Sequence, residues 1–253
     1  MLTLERQNEI YELIKKKKSV SIDELAKRFY ISPASIRRDL VKLEQNGLIK
    51  RTYGGAILID GFNAETPLLI REAEQIGEKE RIAQHACEMV RDRDTVFMDS
   101  SSTTRFMAKY LNPKMNITII TNGIRLMTDL SEQQNVTVYG IGGKLRHHSL
   151  SMIGSQAETS LSNFWASTLF FSCTALSIQH GAMDSSDGEA EVRKKMMSLC
   201  RTKVLLCDHT KFDRTAFYRI CGFEDIDAII TDEQPSAQWQ QYFTQHSVHL
   251  LVI

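Results

Sequence analysis

Over roughly the first fifty positions the apolar residues recur three and four apart, the period of short amphipathic helices. From about residue 79 they gather instead into short runs separated by helical patterns. In the first stretch Ile10, Leu13 and Ile14 share one face of a helix that closes in the lysine run 15–18, where positive charge suits the negative end of the helix dipole. Ser21-Ile22-Asp23-Glu24 predicts the start of a second helix through a capping box, with Ile22, Leu25 and Phe29 facing inward and an end near Tyr30. Ser32-Pro33 opens a third, serine as N-cap and proline at the first helical position, and Gly47 supplies its left-handed stop. Leu48–Thr52 and Ala56–Ile59 are β-prone runs joined through Tyr53-Gly54-Gly55, whose glycines are expected to provide the positive φ of a tight hairpin.

The third helix carries two stripes. Ile36, Leu40 and Leu43 form one for a core, while Ser35, Arg38 and Lys42 form another, with Arg37 beside it. A helix in a short three-helix unit that presents hydroxyls and arginines near its N-terminus suits the major groove of DNA, and the hairpin is then a wing with Lys50 and Arg51 placed to meet the backbone. Charge supports this. The chain is neutral overall, yet residues 1–57 hold twelve lysines and arginines against seven acids, so a head of net charge +5 sits on a body of −5.

The run SIDELAKRFYISPASIRRDLVKLEQNGLIKRTYGGA resembles the winged helix-turn-helix of DeoR-type transcriptional regulators, repressors of sugar metabolism, through its R-R-D-L and G-G-A elements at 37–40 and 54–56. The resemblance implies operator contacts from Ser32, Ser35, Arg37 and Arg38, and a wing shaped by Tyr53 and the glycines. The full expected DNA-binding set is Ser21, Ser32, Ser35, Arg37, Arg38, Lys42, Arg51, Tyr53 and Gly54.

Residues 58–78 lack a strong period and are expected to be a linker with room for a short helix. Beyond them strands are predicted at 95–98, 117–120, 136–139, 167–172, 203–207, 227–231 and 248–252, between helices at 79–91, 103–111, 123–131, 156–163, 188–200 and 236–245. Such alternation makes a parallel sheet covered on both faces, and ligands of such sheets bind beyond the carboxyl ends of the strands. The fold class is therefore α/β: a winged helix-turn-helix over 1–57 and a larger α/β effector-sensing and oligomerisation domain over 79–253.

The strand ends carry the chemistry. They are Asp99-Ser100-Ser101-Ser102-Thr103-Thr104, then Thr121-Asn122-Gly123, then Gly142-Gly143-Lys144, then Asp208-His209-Thr210-Lys211. Hydroxyls and backbone N–H groups entering a helix suit an anion such as phosphate, and no Walker lysine accompanies them. The expected effector-binding set is Asp99, Ser100, Ser101, Ser102, Thr103, Thr104, Asn122, Gly143, Lys144, Asp208 and Lys211. These segments resemble the DeoR-type sensor domain, related in fold to ribose phosphate isomerase and glucosamine phosphate deaminase, and the resemblance implies a phosphorylated sugar or related metabolite as effector. Two departures from that pattern, Ser101 for a loop glycine and Phe171-Ser172-Cys173-Thr174-Ala175-Leu176 for a glycine-containing stretch, are expected to narrow the pocket.

Other classes are weighed against this. An aldose-ketose isomerase could use Asp99, Asp208, Lys211 and Glu191, but has no use for a basic head; a DNA-binding protein whose second domain only oligomerises is the third reading. Five cysteines without a C-x-x-C pair and scattered histidines imply reduced thiols, no metal site and no cofactor. No apolar run is long enough for a membrane span and no secretory signal opens the chain, so a cytoplasmic location without a membrane partner is expected. A single winged helix makes a small interface, so the partners are operator DNA and at least one further copy of the chain.

Overall fold

The computed structural model describes residues 3–45, 47–58, 66–113 and 115–253, with side chains from residue 6 onward. The chain divides into two compact units, Met1–Ala73 and Glu74–Ile253. The expected end of the second wing strand at Ile59 and the first part of the expected linker lie outside the described residues.

In the first unit α1 (Thr3–Lys17), β1 (Ser19–Ser21), α2 (Ile22–Phe29), α3 (Pro33–Gln45), β2 (Ile49–Thr52), β3 (Gly55–Leu58) and α4 (Leu68–Ala73) follow one another. Ile10, Ile14, Leu25, Ile36, Leu40 and Leu43 meet in one core, joined by Ile70 of α4. Full burial of each such side chain is worth about 1.5–3 kcal/mol, which lets a small module hold three helices. Ser32 caps α3, its Oγ accepting from the Ser35 N–H at 3.2 Å. Gly47 has φ 71° and ends the helix as the sequence requires. Ser21 caps α2 through the Glu24 N–H at 3.1 Å, but Glu24 does not reach back: its carboxylate takes the ammonium of Lys17 instead, a charge partner that outcompetes a neutral N–H.

The wing differs from expectation in two ways. It is three-stranded, because β1 pairs with β3 in the order β1-β3-β2. Neither Gly54 nor Gly55 has positive φ. Gly55 is needed for another reason: a Cβ there would run into the Val20 carbonyl oxygen across the β1–β3 pair.

The second unit is built on a seven-stranded parallel sheet. Its elements are α5 (Ile76–Glu88), β4 (Thr95–Met98), α6 (Ser102–Arg105), β5 (Ile117–Thr121), α7 (Ile124–Leu130), β6 (Val136–Gly140), β7 (Lys144–Arg146), β8 (Ser151–Ile153), α8 (Ser155–Leu161), β9 (Ala166–Phe171), β10 (Ala175–Ser177), β11 (Gly181–Asp184), α9 (Asp187–Ser198), β12 (Cys200–Leu206), β13 (Tyr218–Cys221), β14 (Ala228–Thr231), α10 (Ala237–Gln245) and β15 (His249–Val252). The sheet order is β15-β14-β12-β9-β4-β5-β6. Successive residues of each strand serve opposite faces: Phe97, Leu169, Phe171 and Leu205 join a core with α8, α9 and α10, while Val96, Met98, Phe170 and Val204 join one with α5 and α7.

Every predicted strand of the large sheet is present, and the helices shift by a few residues at their ends. The expected helix 103–111 is a four-residue α-helix continued as a 3-10 turn over Phe106–Lys109. The sequence reading missed the hairpin β7–β8 and the antiparallel sheet β10-β11-β13, whose strands of three or four residues are too short to show a period. The order in which strands are added reverses between β4 and β9, since β5 and β6 extend to one side and β9, β12, β14 and β15 to the other, all parallel. In parallel α/β sheets ligands bind at such a switch point, here beyond the carboxyl ends of β4 and β9.

Candidate functional sites

On α3 the expected contact residues form an exposed polar row. Ser32 Oγ donates to Ser35 Oγ at 3.1 Å, and the Arg38 guanidinium donates to the same Ser35 oxygen at 3.1 Å. Arg37 and Lys42 project into solvent beside them. Behind the row Asp39 is buried and accepts from Arg6 Nε at 2.7 Å and Gln7 Nε2 at 3.0 Å, fixing α3 on α1. The pairing raises the Arg6 pKa, chiefly through its hydrogen bond to Asp39. Asp39 is thus the residue of R-R-D-L that orients its two arginines, which the apolar stripe alone did not reveal.

The wing is tied in at both ends. Arg51, expected at the DNA backbone, gives its Nε to Glu44 Oε2 at 2.6 Å and its backbone N–H to Glu44 Oε1 at 2.8 Å, so it anchors β2 to α3. The Gly54 carbonyl accepts from the Ile22 N–H at 2.8 Å, which sets the wing tip beside the start of α2. Tyr53 stands fully exposed at that tip. Ser21 is exposed with its hydroxyl already used as a helix cap.

Of the expected effector residues, Asp99, Ser100, Ser101, Ser102, Thr103, Thr104, Asn122 and Asp208 are buried, Gly143 and Lys211 half-buried and Lys144 exposed. Asp99 is 1% exposed and wholly engaged: Arg193 Nε donates to Oδ2 at 2.6 Å, the Ser172 N–H to Oδ2 at 3.2 Å, the Ser101 N–H to Oδ1 at 3.1 Å, and the Thr104 hydroxyl also to Oδ1. Asp99 therefore shapes the loop 100–104 rather than facing a ligand. Ser101 caps α6 through the Thr104 N–H at 3.2 Å, and the two hydroxyls bond each other. Ser100 Oγ donates to Glu189 Oε1 at 3.4 Å. Ser102 and Thr103 are also buried.

Two strand ends expose a need. Asn122 Nδ2 donates to the Met152 carbonyl at 3.1 Å, but its Oδ1 is buried without a partner. Asp208 accepts from the Thr210 N–H at 3.0 Å and from the Thr210 hydroxyl on Oδ1, while Oδ2 is buried without a partner. Burial would raise the Asp208 pKa, but the charges of Lys211 and Lys79 and the Thr210 bonds outweigh it and hold the carboxyl below its ordinary value. An unmet buried acceptor costs about 1–3 kcal/mol, so each of these oxygens favours a ligand that brings a donor. Gly143 has φ 156° at the close of the β6 end, and Lys144 is exposed at the start of β7.

The structure adds residues that sequence reading missed. Arg193, 2% exposed, also donates to Asp184 Oδ2 at 2.5 Å and lies 3.6 Å from Glu189 Oε2. Burial would lower its pKa, yet the three carboxylates raise it. Lys79 is 3% exposed on α5, with Nζ donating to the Glu74 carbonyl at 2.6 Å. A signal existed for both, since Lys79 shares a helix face with Ile82, Ala83 and Ala86, and Arg193 shares one with Ala190, Met196 and Met197. A charge on an apolar stripe marks a buried ion pair.

Of the two departures expected to narrow the pocket, Cys173 and Leu176 lie in the core with Ala182 and Ile220, and the Ser101 hydroxyl bonds that of Thr104. Burial pushes the Cys173 thiol up to about 12, as expected of a reduced, inert cysteine. His209 is more than a surface group: its Nδ1 lies 2.7 Å from Asp232 Oδ2 and its N–H donates to Asp232 Oδ1 at 2.7 Å, joining the ends of β12 and β14. His209, Asp232 and Glu233 bring their ligand-type atoms within 4.8 Å of one another, a grouping the scattered histidines of the sequence did not suggest. The contact with Asp232, chiefly through its hydrogen bond, raises the His209 pKa.

An exposed basic helix with a wing, followed by a doubly wound sheet whose strand ends hold a polar cluster, defines a DNA-binding protein with a ligand-sensing domain. Residues 6–62 match the DeoR-like helix-turn-helix domain and residues 74–233 the DeoR C terminal sensor domain. The chain is 34% identical over 232 residues to the uncharacterized HTH-type transcriptional regulator YulB of Bacillus subtilis, covering 92% of this chain and 90% of that one. It is 30% identical over 247 residues to the transcriptional regulator IolR of the same organism, covering 98% of each, and 30% over 250 residues to the glycerol-3-phosphate regulon repressor of Escherichia coli, covering 99% of each. It belongs to the DeoR family and is a DNA-binding transcriptional regulator with a sugar-related sensor domain. Among solved structures, ribose 5-phosphate isomerase A of Methanocaldococcus jannaschii aligns with a TM-score of 0.40 at 14% identity over 53% of each chain. The sorbitol operon regulator SorC of Klebsiella pneumoniae aligns at 0.39 and 9% identity, over 82% of this chain and 90% of that one. Among the described residues no helix is long and apolar enough to cross a membrane.

Proposed function

We propose that the protein represses carbohydrate-metabolism genes, and that it leaves its operator when a phosphorylated sugar or related metabolite occupies the strand ends of its second unit. The observation that carries the effector reading is the pair of buried, unpartnered oxygens, Asn122 Oδ1 at the end of β5 and Asp208 Oδ2 at the end of β12, with the Ser102 and Thr103 hydroxyls following β4 and the Lys211 ammonium near Asp208. Two oxygens that lack donors suit sugar hydroxyls, and hydroxyls with an ammonium suit a phosphate. Relatives named as repressors, one of them of a glycerol-3-phosphate regulon, support the same reading. In this role Ser32, Ser35, Arg37, Arg38 and Lys42 meet the operator, Arg51 holds the wing, and at least two copies read repeated half-sites one helical turn or a multiple apart.

The isomerase alternative loses one of its candidate groups, since Asp99 is bonded by Arg193, two backbone N–H groups and Thr104, while Asp208 and Glu191 keep it open to test. The deciding experiment is fluorescence anisotropy of labelled DNA from upstream of this gene and its neighbours, at fixed salt, with protein titrated first and sugar phosphates afterwards. Tight binding reversed by one compound is expected. Specific binding that no compound reverses would leave a repressor whose second unit only oligomerises, and turnover of a sugar phosphate without specific DNA binding would return the isomerase.

A further inference from the structure

The loop 100–104 and the hairpin β7–β8 meet on one carboxylate. Glu189, 3% exposed near the start of α9, accepts from Ser151 Oγ at 2.6 Å and from Ser100 Oγ at 3.4 Å. Ser151 is further bonded to Ser149 at 2.8 Å, and both serines are fully buried. The hairpin reaches the end of β5 through main-chain bonds, Met152 N–H to the Asn122 carbonyl at 2.8 Å and Ile124 N–H to the Leu150 carbonyl at 2.9 Å. The same hairpin carries Lys144, and Leu150 in its turn holds φ 49°, a left-handed conformation that a leucine adopts at a cost.

One guanidinium, Arg193, faces three carboxylates, with Asp99 and Asp184 at 2.6 and 2.5 Å and Glu189 at 3.6 Å. Of the three, Glu189 lies farthest from the arginine, and it is bonded to both the loop and the hairpin. A dianionic phosphate arriving at the loop needs the Ser100 hydroxyl that Glu189 now accepts from, and it meets the negative charge of that carboxylate at close range. The carboxylate has to yield ground, and with it the bond to Ser151.

We propose that Glu189 is a positioning residue of the effector site, a latch that holds the hairpin 144–153 closed on the loop through Ser151 and Ser100 until an anionic group on the loop displaces it. The latch rests on the effector reading given above for the identity of its trigger, though not for its existence in the free chain. It gives the sensor domain a moving part: ligand charge is converted into release of one β-hairpin.

The test is hydrogen–deuterium exchange of residues 144–153 in the full chain, with ribose 5-phosphate, ribose and inorganic phosphate as probes, on the native protein and on Glu189→Gln and Ser151→Ala. Without any probe, both variants are expected to exchange the Met152 amide about tenfold faster than the native chain, since each removes part of the latch. The phosphorylated probe is expected to raise hairpin exchange in the native chain while ribose does not, and Glu189→Gln is expected to bind that probe about tenfold more tightly once the like charge is gone. Native exchange rates in both ligand-free variants overturn the latch. Binding of ribose 5-phosphate that leaves hairpin exchange unchanged also overturns it, while the effector reading stands. If neither phosphorylated probe nor phosphate binds, that reading fails for these compounds, and the ligand-free comparison alone decides whether Glu189 holds the hairpin.

Discussion

On α3 the side chains expected at DNA, Arg37, Arg38 and Lys42, stand exposed on a helix whose only buried charge is Asp39; at the sheet's carboxyl ends Asp99, Ser100, Ser101, Thr104 and Asp208 are buried, and Asp99, Ser101 and Thr104 bond one another. The difference follows from the partner each must meet. A polyanion is attracted through solvent by exposed cations, which need only a helix to aim them. A small metabolite must be distinguished from others of like size, and that takes polar groups desolvated and fixed before it arrives. Hence the first unit spends its buried charge, the Asp39 pairing with Arg6 and Gln7, on orienting a helix, while the second spends a whole ion cluster on shaping one loop.

The contrast can be broken most severely at Arg193. Arg193→Met removes the buried guanidinium that pairs with Asp99 and Asp184 and is expected to cost the second unit about 3–5 kcal/mol, read as a lowered thermal unfolding midpoint. If its stability is unchanged, the cluster is not what holds the strand ends. Arg38→Ala should instead remove about 1–3 kcal/mol of specific operator affinity in anisotropy and leave that midpoint alone, because Arg38 is exposed and bonds a near neighbour on its own helix, Ser35. A stability loss comparable to its affinity loss would show that the exposed row is structural after all.

Lys211→Ala sharpens the other side. The half-buried ammonium sits in the field of Asp208, and its loss should raise the ribose 5-phosphate concentration needed for operator release about tenfold, with operator affinity in the absence of ligand unaltered. Smallest is a pH effect. The His209 pKa is raised by Asp232, so this pair stabilises the folded chain fully below the unfolded value of about 6.5 and ceases to do so as pH rises through the higher folded value. His209→Gln should therefore lower the unfolding midpoint at pH 6 and approach the native value at pH 9; an equal deficit at both would make the contact a neutral hydrogen bond.

What was legible in the sequence was whatever one segment decides for itself. The caps at Ser21 and Ser32, the stop at Gly47 and every strand of the large sheet were visible because each rests on spacing within a few residues. The hydroxyl loop, Asn122 and Asp208 drew attention because strand ends of an α/β sheet are where ligands collect, yet their hydrogen-bonding states were not legible. Nor was the bonding of Asp99 to Arg193 or the place of Cys173 and Leu176 in the core.

The sequence by itself determined the two-part design, the amphipathic helices, the basic recognition face and the strand order's raw material, since these depend on periodicity and local hydrogen bonding that a chain carries wherever it folds. Only the tertiary structure decided how charges find partners: Arg193 reaches Asp99 across 94 positions of sequence, Ser100 reaches Glu189 across 89, and Arg6 reaches Asp39 across 33. Electrostatic partnership depends on distance and burial, and neither exists until strands from distant parts of the chain lie side by side.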